Sequence, residues 1–164
     1  MLFRSVEVGL CVLANKRPEL TFEALFREPL DFVCRADHPL TKKKCPLKWA
    51  QLEGCSLILN GSVSALRLPE VSKLAANSKL IASNVNSNLA MVEAGLGVTI
   101  LPRLCRWQCS QQLRFLPLAD AAVSRTVGWI AREGRGLQPA TAKLLNCIRE
   151  LTRECAKEFG YAAV

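Results

Sequence analysis

The stretch at residues 86–102 constrains the fold of this chain more than any other. Leu89 and Val92 lie three residues apart, which predicts a short helix with an apolar stripe. Gly95 follows that helix, at a position where a left-handed conformation is common and a Cβ is disfavoured. The apolar run at 97–101 predicts a strand buried on both faces, and the proline after it ends the ladder. Helix, glycine turn and strand make half of an α/β repeat, where ligands bind beyond the carboxyl ends of strands.

Strand and helix patterns alternate along the rest of the chain, which predicts α/β layering around a mostly parallel sheet. Strands are predicted at residues 6–12, 30–35, 56–59, 79–83, 97–101, 113–116 and 126–131. Helices are predicted at residues 22–26, 46–53, 69–77, 88–94, 103–108 and 138–159. The last helix is expected to bury a stripe formed by Leu144, Ile148, Leu151, Cys155 and Phe159.

Composition excludes several classes of function. The chain has 164 residues, half of them apolar, which suits one domain or one domain of two small lobes. Its formal net charge is +8, but the basic residues are scattered and no aromatic residues interleave them, so direct DNA binding is not expected. No apolar run is long enough to span a bilayer and the N-terminus lacks the order of a signal peptide, which predicts a cytoplasmic protein with no membrane partner.

The cysteines and the single histidine do not form a catalytic or metal-binding pattern. Cys105 and Cys109 have the only suggestive spacing, but one histidine in the whole chain is a poor zinc signal. That residue, His38, lies in a turn and has no plausible base or nucleophile partner. Other thiols are expected to pack as small buried hydrophobes, namely Cys11, Cys34, Cys147 and Cys155. We therefore expect no catalytic residues, no metal, no cofactor and no enzyme activity.

Polar residues that follow two of the predicted strands are the candidates for ligand binding. The loop at 60–65 offers backbone N–H groups and serine hydroxyls, which suit a carboxylate or another anion. The start of the helix at 88–94 offers similar groups, and an arginine beyond the loop can pair with a carboxylate in bidentate fashion. The alternatives are ordinary helix caps and a surface arginine. The candidate ligand-binding residues are Asn60, Ser62, Ser64, Arg67, Asn86, Ser87 and Asn88.

Three further stretches join the one at 86–102 in a recognisable order. Residues 28–40 read EPLDFVCRADHPL, residues 56–67 are a strand and a polar loop, and residues 126–151 are a strand, a turn and a helix. Together they resemble the effector-binding domain of LysR-type transcriptional regulators over nearly the whole chain. The resemblance implies an α/β fold like that of type 2 periplasmic binding proteins, with two Rossmann-like lobes joined by two crossovers. It also implies that the HPL loop is structural.

The resemblance further implies how the lobes divide. Residues 1–44 would belong to lobe one, residues 45–122 to lobe two, and residues 123–164 to the return crossover and the C-terminal helix of lobe one. Family effector domains open with a strand and a helix that precede the segment at 6–12, so we expect lobe one to be incomplete. Its sheet edge would be unpaired there, with Leu10, Val12 and Phe32 exposed, and unpaired edges recruit partners.

The function expected from the resemblance is the sensing of a small-molecule effector, and the polar loop and helix start favour an anionic one. Binding in an interlobe cleft would change DNA binding by a helix-turn-helix domain absent from this chain, in a homodimer or higher oligomer. Two alternatives are a stand-alone small-solute-binding protein of the same fold and a truncated remnant without a working cleft. Oxidation-sensing members carry a reactive cysteine in the loop matching 61–67; the residues Ser62, Val63, Ser64 and Ala65 make a peroxide sensor unexpected.

Overall fold

The computed structural model describes residues 6–12, 17–76 and 78–164. Its strands are β1 Val8–Val12, β2 Leu20–Arg35, β3 Ile58–Leu59, β4 Leu80–Ile81, β5 Thr99–Pro102, β6 Leu113–Pro117, β7 Ser124–Arg132 and β8 Ala162–Ala163. Its α-helices are α1 Gly61–Ala65, α2 Pro69–Ala75, α3 Val85–Glu93 and α4 Pro139–Phe159. Short 3-10 helices span Pro39–Lys42, Trp49–Leu52 and Arg103–Gln108.

The chain divides into two compact units. The first consists of Met1–Glu28 and Arg125–Val164, and the second of Pro29–Ser124. The boundaries from the sequence were 44/45 and 122/123. Strand β2 contributes to both units, and its last residues, from Leu30 to Arg35, pair with β5 and β6.

The first unit is an antiparallel sheet with α4 packed on it. Strand β7 lies between β1 and β2, and β8 pairs with β2. The register of β1 and β7 places Leu10 opposite Trp129. Leu25, Trp129 and Leu145 form its core together with Ala131. Helix α4 begins at Pro139, whose missing N–H costs nothing in a first turn, and ends at Gly160 with a φ of 70°.

Helix α4 meets its sheet through a face that only partly overlaps the predicted one: Ile148, Cys155 and Phe159 are half-buried, but Leu144 and Leu151 are not. Leu145 is 1% exposed, whereas Leu144 and Leu151 of the predicted stripe are 55% and 57% exposed. Ile148 is only partly buried, and Cys147, expected inside, is exposed. Arg149, on the same helix, reaches β2, where its Nε lies 2.5 Å from Oε1 of Glu23. One flank of the apolar stripe is left on the surface.

The second unit contains a mixed sheet. Strands β3 and β4 are parallel, and a parallel bridge between Leu57 and Val98 joins β3 to β5. Strand β2 then pairs antiparallel with both β5 and β6. The prediction of a mostly parallel sheet was wrong, because β2 and β6 run against their neighbours. Buried side chains on this sheet include Phe32, Val33, Ile58 and Ile100, so Phe32 is not exposed as expected.

Four other predicted elements are corrected by the structure. Residues 22–26, predicted as a helix, belong to β2, because pairing with β7 and β8 overrides the local pattern. Part of the loop at 60–65 forms α1, and the helix at 46–53 shrinks to the 3-10 turn Trp49–Leu52. The segment 103–108 is also a 3-10 helix. Asn77, the predicted end of the helix at 69–77, lies outside the described residues.

Candidate functional site

The carboxyl ends of β3 and β4 lie side by side, and a helix starts from each. Strand β3 leads through Asn60 into α1, and β4 leads through Asn84 into α3. The two connections touch, since the Ala82 N–H donates to the Leu59 carbonyl over 2.9 Å. The starts of α1 and α3 are thereby brought to one edge of the second unit's sheet. This edge holds most of the predicted ligand-binding residues.

Asn60 organises the start of α1. Its Oδ1 accepts hydrogen bonds from the N–H groups of Ser62, at 2.8 Å, and Val63, at 3.0 Å. Its Nδ2 lies 2.8 Å from Oγ1 of Thr99 and 3.1 Å from the carbonyl oxygen of Ile100. Asn60 is 6% exposed, so its side chain serves the helix and the neighbouring strand. Two N–H groups that the sequence offered to an anion are therefore already bonded.

Asn88 plays the matching part in α3. It is 1% exposed, and its Nδ2 donates to the carbonyl oxygens of Ala82, at 3.1 Å, and Asn84, at 2.7 Å. Its Oδ1 lies 3.3 Å from Oγ1 of Thr99 and 3.4 Å from Nδ2 of Asn60. We call these three buried side chains, Asn60, Asn88 and Thr99, the polar network.

The polar network fixes the relative position of two helix starts, because each buried polar group in it has a partner. Thr99 was not among the predicted site residues. Its Oγ1 also lies 2.9 Å from the carbonyl oxygen of Ile58. The only signal for it in the sequence is a hydroxyl inside the apolar run 97–101, where a β-branched threonine is also an ordinary strand residue.

The other predicted residues lie on the surface of the same region. Ser62 is half-buried, and Ser64, Asn86 and Ser87 are exposed on α1 and α3. Helix α3 starts earlier than predicted: Asn84 is its cap, and its Oδ1 accepts from the Ser87 N–H at 2.8 Å. The predicted set thus separates into positioning residues, Asn60 and Asn88, and exposed polar groups on the first turns.

Arg67 stands apart from these groups. It is exposed in the connection between α1 and α2, and among the described residues it makes no hydrogen bond or ion pair with the serines or asparagines. Neither α1 nor α3 carries an acidic residue in its first turn. The edge therefore lacks the local negative charge that would oppose an anion at a helix start.

A buried ion pair lies at the carboxyl end of β5, which runs parallel to β3. Nε and Nη2 of Arg103 lie 2.9 and 2.8 Å from the two carboxylate oxygens of Asp31. The Asp31 side chain is 3% exposed and that of Arg103 is 24% exposed. The hydrogen bond from Arg103 to Asp31 raises the pKa of the arginine. Arg103 directly follows β5 and Asp31 lies in β2, so this ion pair links the two strands.

Two further properties hold for residues 6–12, 17–76 and 78–164. No helix among them is long and apolar enough to cross a membrane. No group of three or more histidine, cysteine or acidic side chains among them is arranged to hold a metal ion. The arrangement at the carboxyl ends of β3 and β4 offers hydroxyls, amides and helix starts, which are groups that bind and orient a ligand.

Comparison with known proteins identifies several named proteins that are similar to this chain. It is 32% identical over 130 residues to an uncharacterised HTH-type transcriptional regulator, YbhD, of Escherichia coli K12, and this match covers 76% of the chain and 41% of the relative. The chain spans about half the length of the curated relatives it matches. They are named as transcriptional regulators.

Solved structures show the same fold. The effector-binding domain of QuiR in complex with shikimate superposes with a TM-score of 0.69 at 18% identity, over 90% of this chain and 72% of that one. The BenM effector-binding domain with its effector benzoate superposes with a TM-score of 0.70 at 20% identity, over 91% of this chain and 70% of that one. These likenesses confirm the predicted type 2 periplasmic-binding-protein-like fold.

The family itself is shown by sequence. The model of the LysR substrate-binding domain matches residues 2–153, which is nearly the whole chain. The match includes β1 to β7, the polar network and most of α4. This chain belongs to the LysR substrate-binding domain family.

Proposed function

We propose that this chain senses a small-molecule effector for a LysR-type transcriptional regulator, at the carboxyl ends of β3 and β4. One observation carries the proposal: the polar network holds the starts of α1 and α3 side by side with their exposed polar groups on one edge. A site of this kind needs binding groups fixed by packed neighbours, and Asn60 and Asn88 supply that support. The binding groups proposed are the hydroxyls of Ser62, Ser64 and Ser87.

The effector class that suits this edge is a small anion, most simply a carboxylate. Helix α3 directs its N-terminal partial positive charge towards the edge, and neither helix start carries an acidic side chain. Hydroxyl and amide groups of Ser62, Ser87 and Asn86 can donate hydrogen bonds to carboxylate oxygens. The ligands named with the two related domains, shikimate and benzoate, both carry a carboxylate, which supports the same class here.

Arg67 has a separate place in the proposal. Its guanidinium is exposed, beyond the last turn of α1, and is free of the ion pairs that hold Arg103 and Arg35. A fork of N–H groups on a movable side chain can close over a bound carboxylate. We therefore propose that Arg67 binds the carboxylate of an effector already in the site and does not position the other binding residues.

Effector binding would act on transcription through another part of the protein. The relatives are transcriptional regulators of about twice the matched length, and YbhD is named as HTH-type. A ligand that binds one conformation better than another shifts the balance between them, and this shift would change DNA binding. Because the relatives are named as transcriptional regulators or activators, we favour this function over that of a stand-alone solute-binding protein. We place its action on DNA in the cytoplasm.

We also propose that the chain works as a homodimer or larger assembly. Among the described residues, β1 pairs with β7 on one side only. Leu10 on that strand is 60% exposed, and Val6, which precedes it, is 78% exposed. An open strand edge with apolar side chains is a surface that proteins usually cover. A second copy offers the same edge.

The test is a calorimetric titration of the chain with benzoate, shikimate and a panel of small carboxylates. We expect at least one carboxylate to bind, and its uncharged amide to bind at least about tenfold more weakly, a loss of about 1.4 kcal/mol. Ser62→Ala should weaken the bound carboxylate by about fivefold or more through loss of one hydrogen bond to a charged group. Ser72→Ala is the matched control, since Ser72 is exposed on α2 and bonds only within its helix.

The proposal is contradicted if Ser62→Ala and Ser72→Ala bind the carboxylate equally well. It is also contradicted if the amides bind as tightly as the acids. A panel without a single binder would contradict the carboxylate class, because the site as described places no acidic group against such ligands.

A further inference from the structure

The second unit has a cavity at the opposite end of its sheet from the proposed effector site. It lies where β3 and β5 begin, next to the last residue of β2, and its volume is about 390 Å³. Cavities of this size hold small organic molecules. Its wall combines charged side chains with backbone of two glycine turns, at Gly54 and Gly95. None of the seven predicted ligand-binding residues lines it.

Arg35 contributes a positive charge to the wall of this cavity. Its Nε and Nη2 lie 3.0 and 2.7 Å from the two carboxylate oxygens of Asp37. This bidentate pair uses one edge of the guanidinium and leaves Nη1 with no hydrogen bond to any described residue. The guanidinium lies over Gly95, where a Cβ would come 3.3 Å from Nη1. A second edge, made by Nη1 and Nη2, is thus open to a carboxylate.

Glu53 contributes the opposite charge. It lines the same cavity just after the 3-10 turn Trp49–Leu52, and its side chain has no ion pair or hydrogen bond in the part of the chain that the structure describes. An unpaired carboxylate that faces a cavity is a partner for an ammonium group. Glu53 is therefore the carboxylate in this wall that is left for a ligand cation, since Asp37 is already paired with Arg35.

Between the two charges the wall is small and partly apolar. Val98 and the half-buried thiol of Cys55 lie there, beside the backbone of Gly97. A Cβ at Gly97 would meet the Ser56 carbonyl oxygen at 2.5 Å, so this part of the wall is closed by backbone and admits no larger residue. The space that remains suits a short aliphatic group.

We propose that this cavity is a second binding site, for a small zwitterion of the amino-acid class. The ligand carboxylate is bound by the open edge of Arg35, its ammonium by Glu53, and its aliphatic group against Val98 and Cys55. A ligand with both charges is favoured because each charge meets its complement, whereas a simple acid leaves Glu53 unpaired and a simple amine leaves the arginine edge unpaired.

Cys55 makes the proposal measurable in the intact chain. L-leucine is the probe, and the rate of alkylation of each thiol by iodoacetamide is read by mass spectrometry of its peptide. Burial raises the pKa of the Cys55 thiol, so labelling is done at about pH 8.5 to populate the thiolate. Cys147, exposed on α4 in the first unit, is the internal control.

We expect saturating L-leucine to slow alkylation of Cys55 about fivefold or more and to leave Cys147 unchanged. At equal concentration, 3-methylbutylamine and 4-methylpentanoate should protect Cys55 at least about fivefold less well. Glu53→Gln should weaken protection by leucine about tenfold and leave protection by 4-methylpentanoate unchanged. Because Glu53 is exposed, this variant keeps its fold, which a melting curve checks.

Three outcomes would overturn the proposal. One is alkylation of Cys55 that leucine does not slow. Another is equal protection by leucine and by one of its singly charged analogues. The third is undiminished protection by leucine in a folded Glu53→Gln variant. Each result is independent of the carboxylate titration of Ser62→Ala, because the two sites lie at opposite ends of β3 and β5.

Discussion

The two units of this chain bury their side chains to different extents. In the second unit, Ile58 and Ile100 are fully buried, and Asn60 and Asn88 of the polar network both lie within hydrogen-bond distance of Thr99. In the first unit the core is centred on Trp129 and Leu145, while Leu10 is 60% exposed. The comparison indicates that the second unit has the larger buried core, which supports the proposed ligand site, whereas the first unit has a small core and an exposed leucine on β1.

The largest expected effect concerns the buried ion pair of the second unit. Arg103→Met leaves the Asp31 carboxylate without its partner at 3% exposure and should lower the free energy of unfolding by about 3–5 kcal/mol. Arg35→Met is the control, since its pair with Asp37 is exposed and should cost at most about 1 kcal/mol. Urea unfolding measures both. Equal losses of unfolding free energy in the two variants would contradict the conclusion that Asp31 is shielded from solvent.

The next effect tests which face of α4 the first unit buries. Leu145→Ala should destabilise the protein by about 2–5 kcal/mol, because its side chain is 1% exposed. Leu144→Ala, one residue earlier and 55% exposed, should change stability by less than about 0.5 kcal/mol. Thermal unfolding of the two variants gives the answer. A larger loss from Leu144→Ala would mean that the predicted stripe, not the observed one, faces the sheet.

A smaller effect is expected in the polar network. Asn88→Ala removes an amide whose partners, the carbonyls of Ala82 and Asn84, stay behind, at a cost of about 1–3 kcal/mol. Asn86→Ala removes an exposed amide from the same turn and should be nearly neutral. Urea unfolding compares them, and a neutral Asn88→Ala would show that the two helix starts do not depend on the network.

The smallest effect on stability is expected for a substitution on β1, which should instead change the self-association of the chain. Leu10→Lys places a charge on the open side of β1, where charged side chains discourage pairing. Sedimentation at micromolar concentration should show dimers or larger species for the unaltered chain and a shift towards monomer for the variant. A monomer in both would mean that the first unit's exposed strand does not recruit a partner.

The sequence predicted the elements whose signals are local. Helix α2 begins at Pro69 and α4 ends at Phe159, as their patterns predicted. The helix predicted at 22–26 failed because its residues gain more from pairing with β7 than from a local helix. Helix α1 was read as a loop, since its small polar residues also favour turns and only the Asn60 cap selects the helix.

The candidate site was predictable only where its residues carry a local sequence signal. Asn60 and the serines follow a strand, which marks a ligand-facing edge in α/β folds. Their division into buried and exposed groups depends on Thr99, which is far away in the sequence and reaches Asn60 only in the folded sheet. The cavity at Arg35 and Glu53 was not predictable at all, because it is formed where separate turns meet.

The measurement that tests the central claim most directly is a titration with benzoate followed by amide NMR of the labelled chain. The account predicts that the largest shifts fall on the N–H groups of Ser62, Ser64 and Ser87, at the starts of α1 and α3. The N–H groups of Gly54 and Gly97, at the opposite end of the sheet, should stay unchanged. Saturable shifts confined to that opposite end, or spread over the first unit only, would contradict the account.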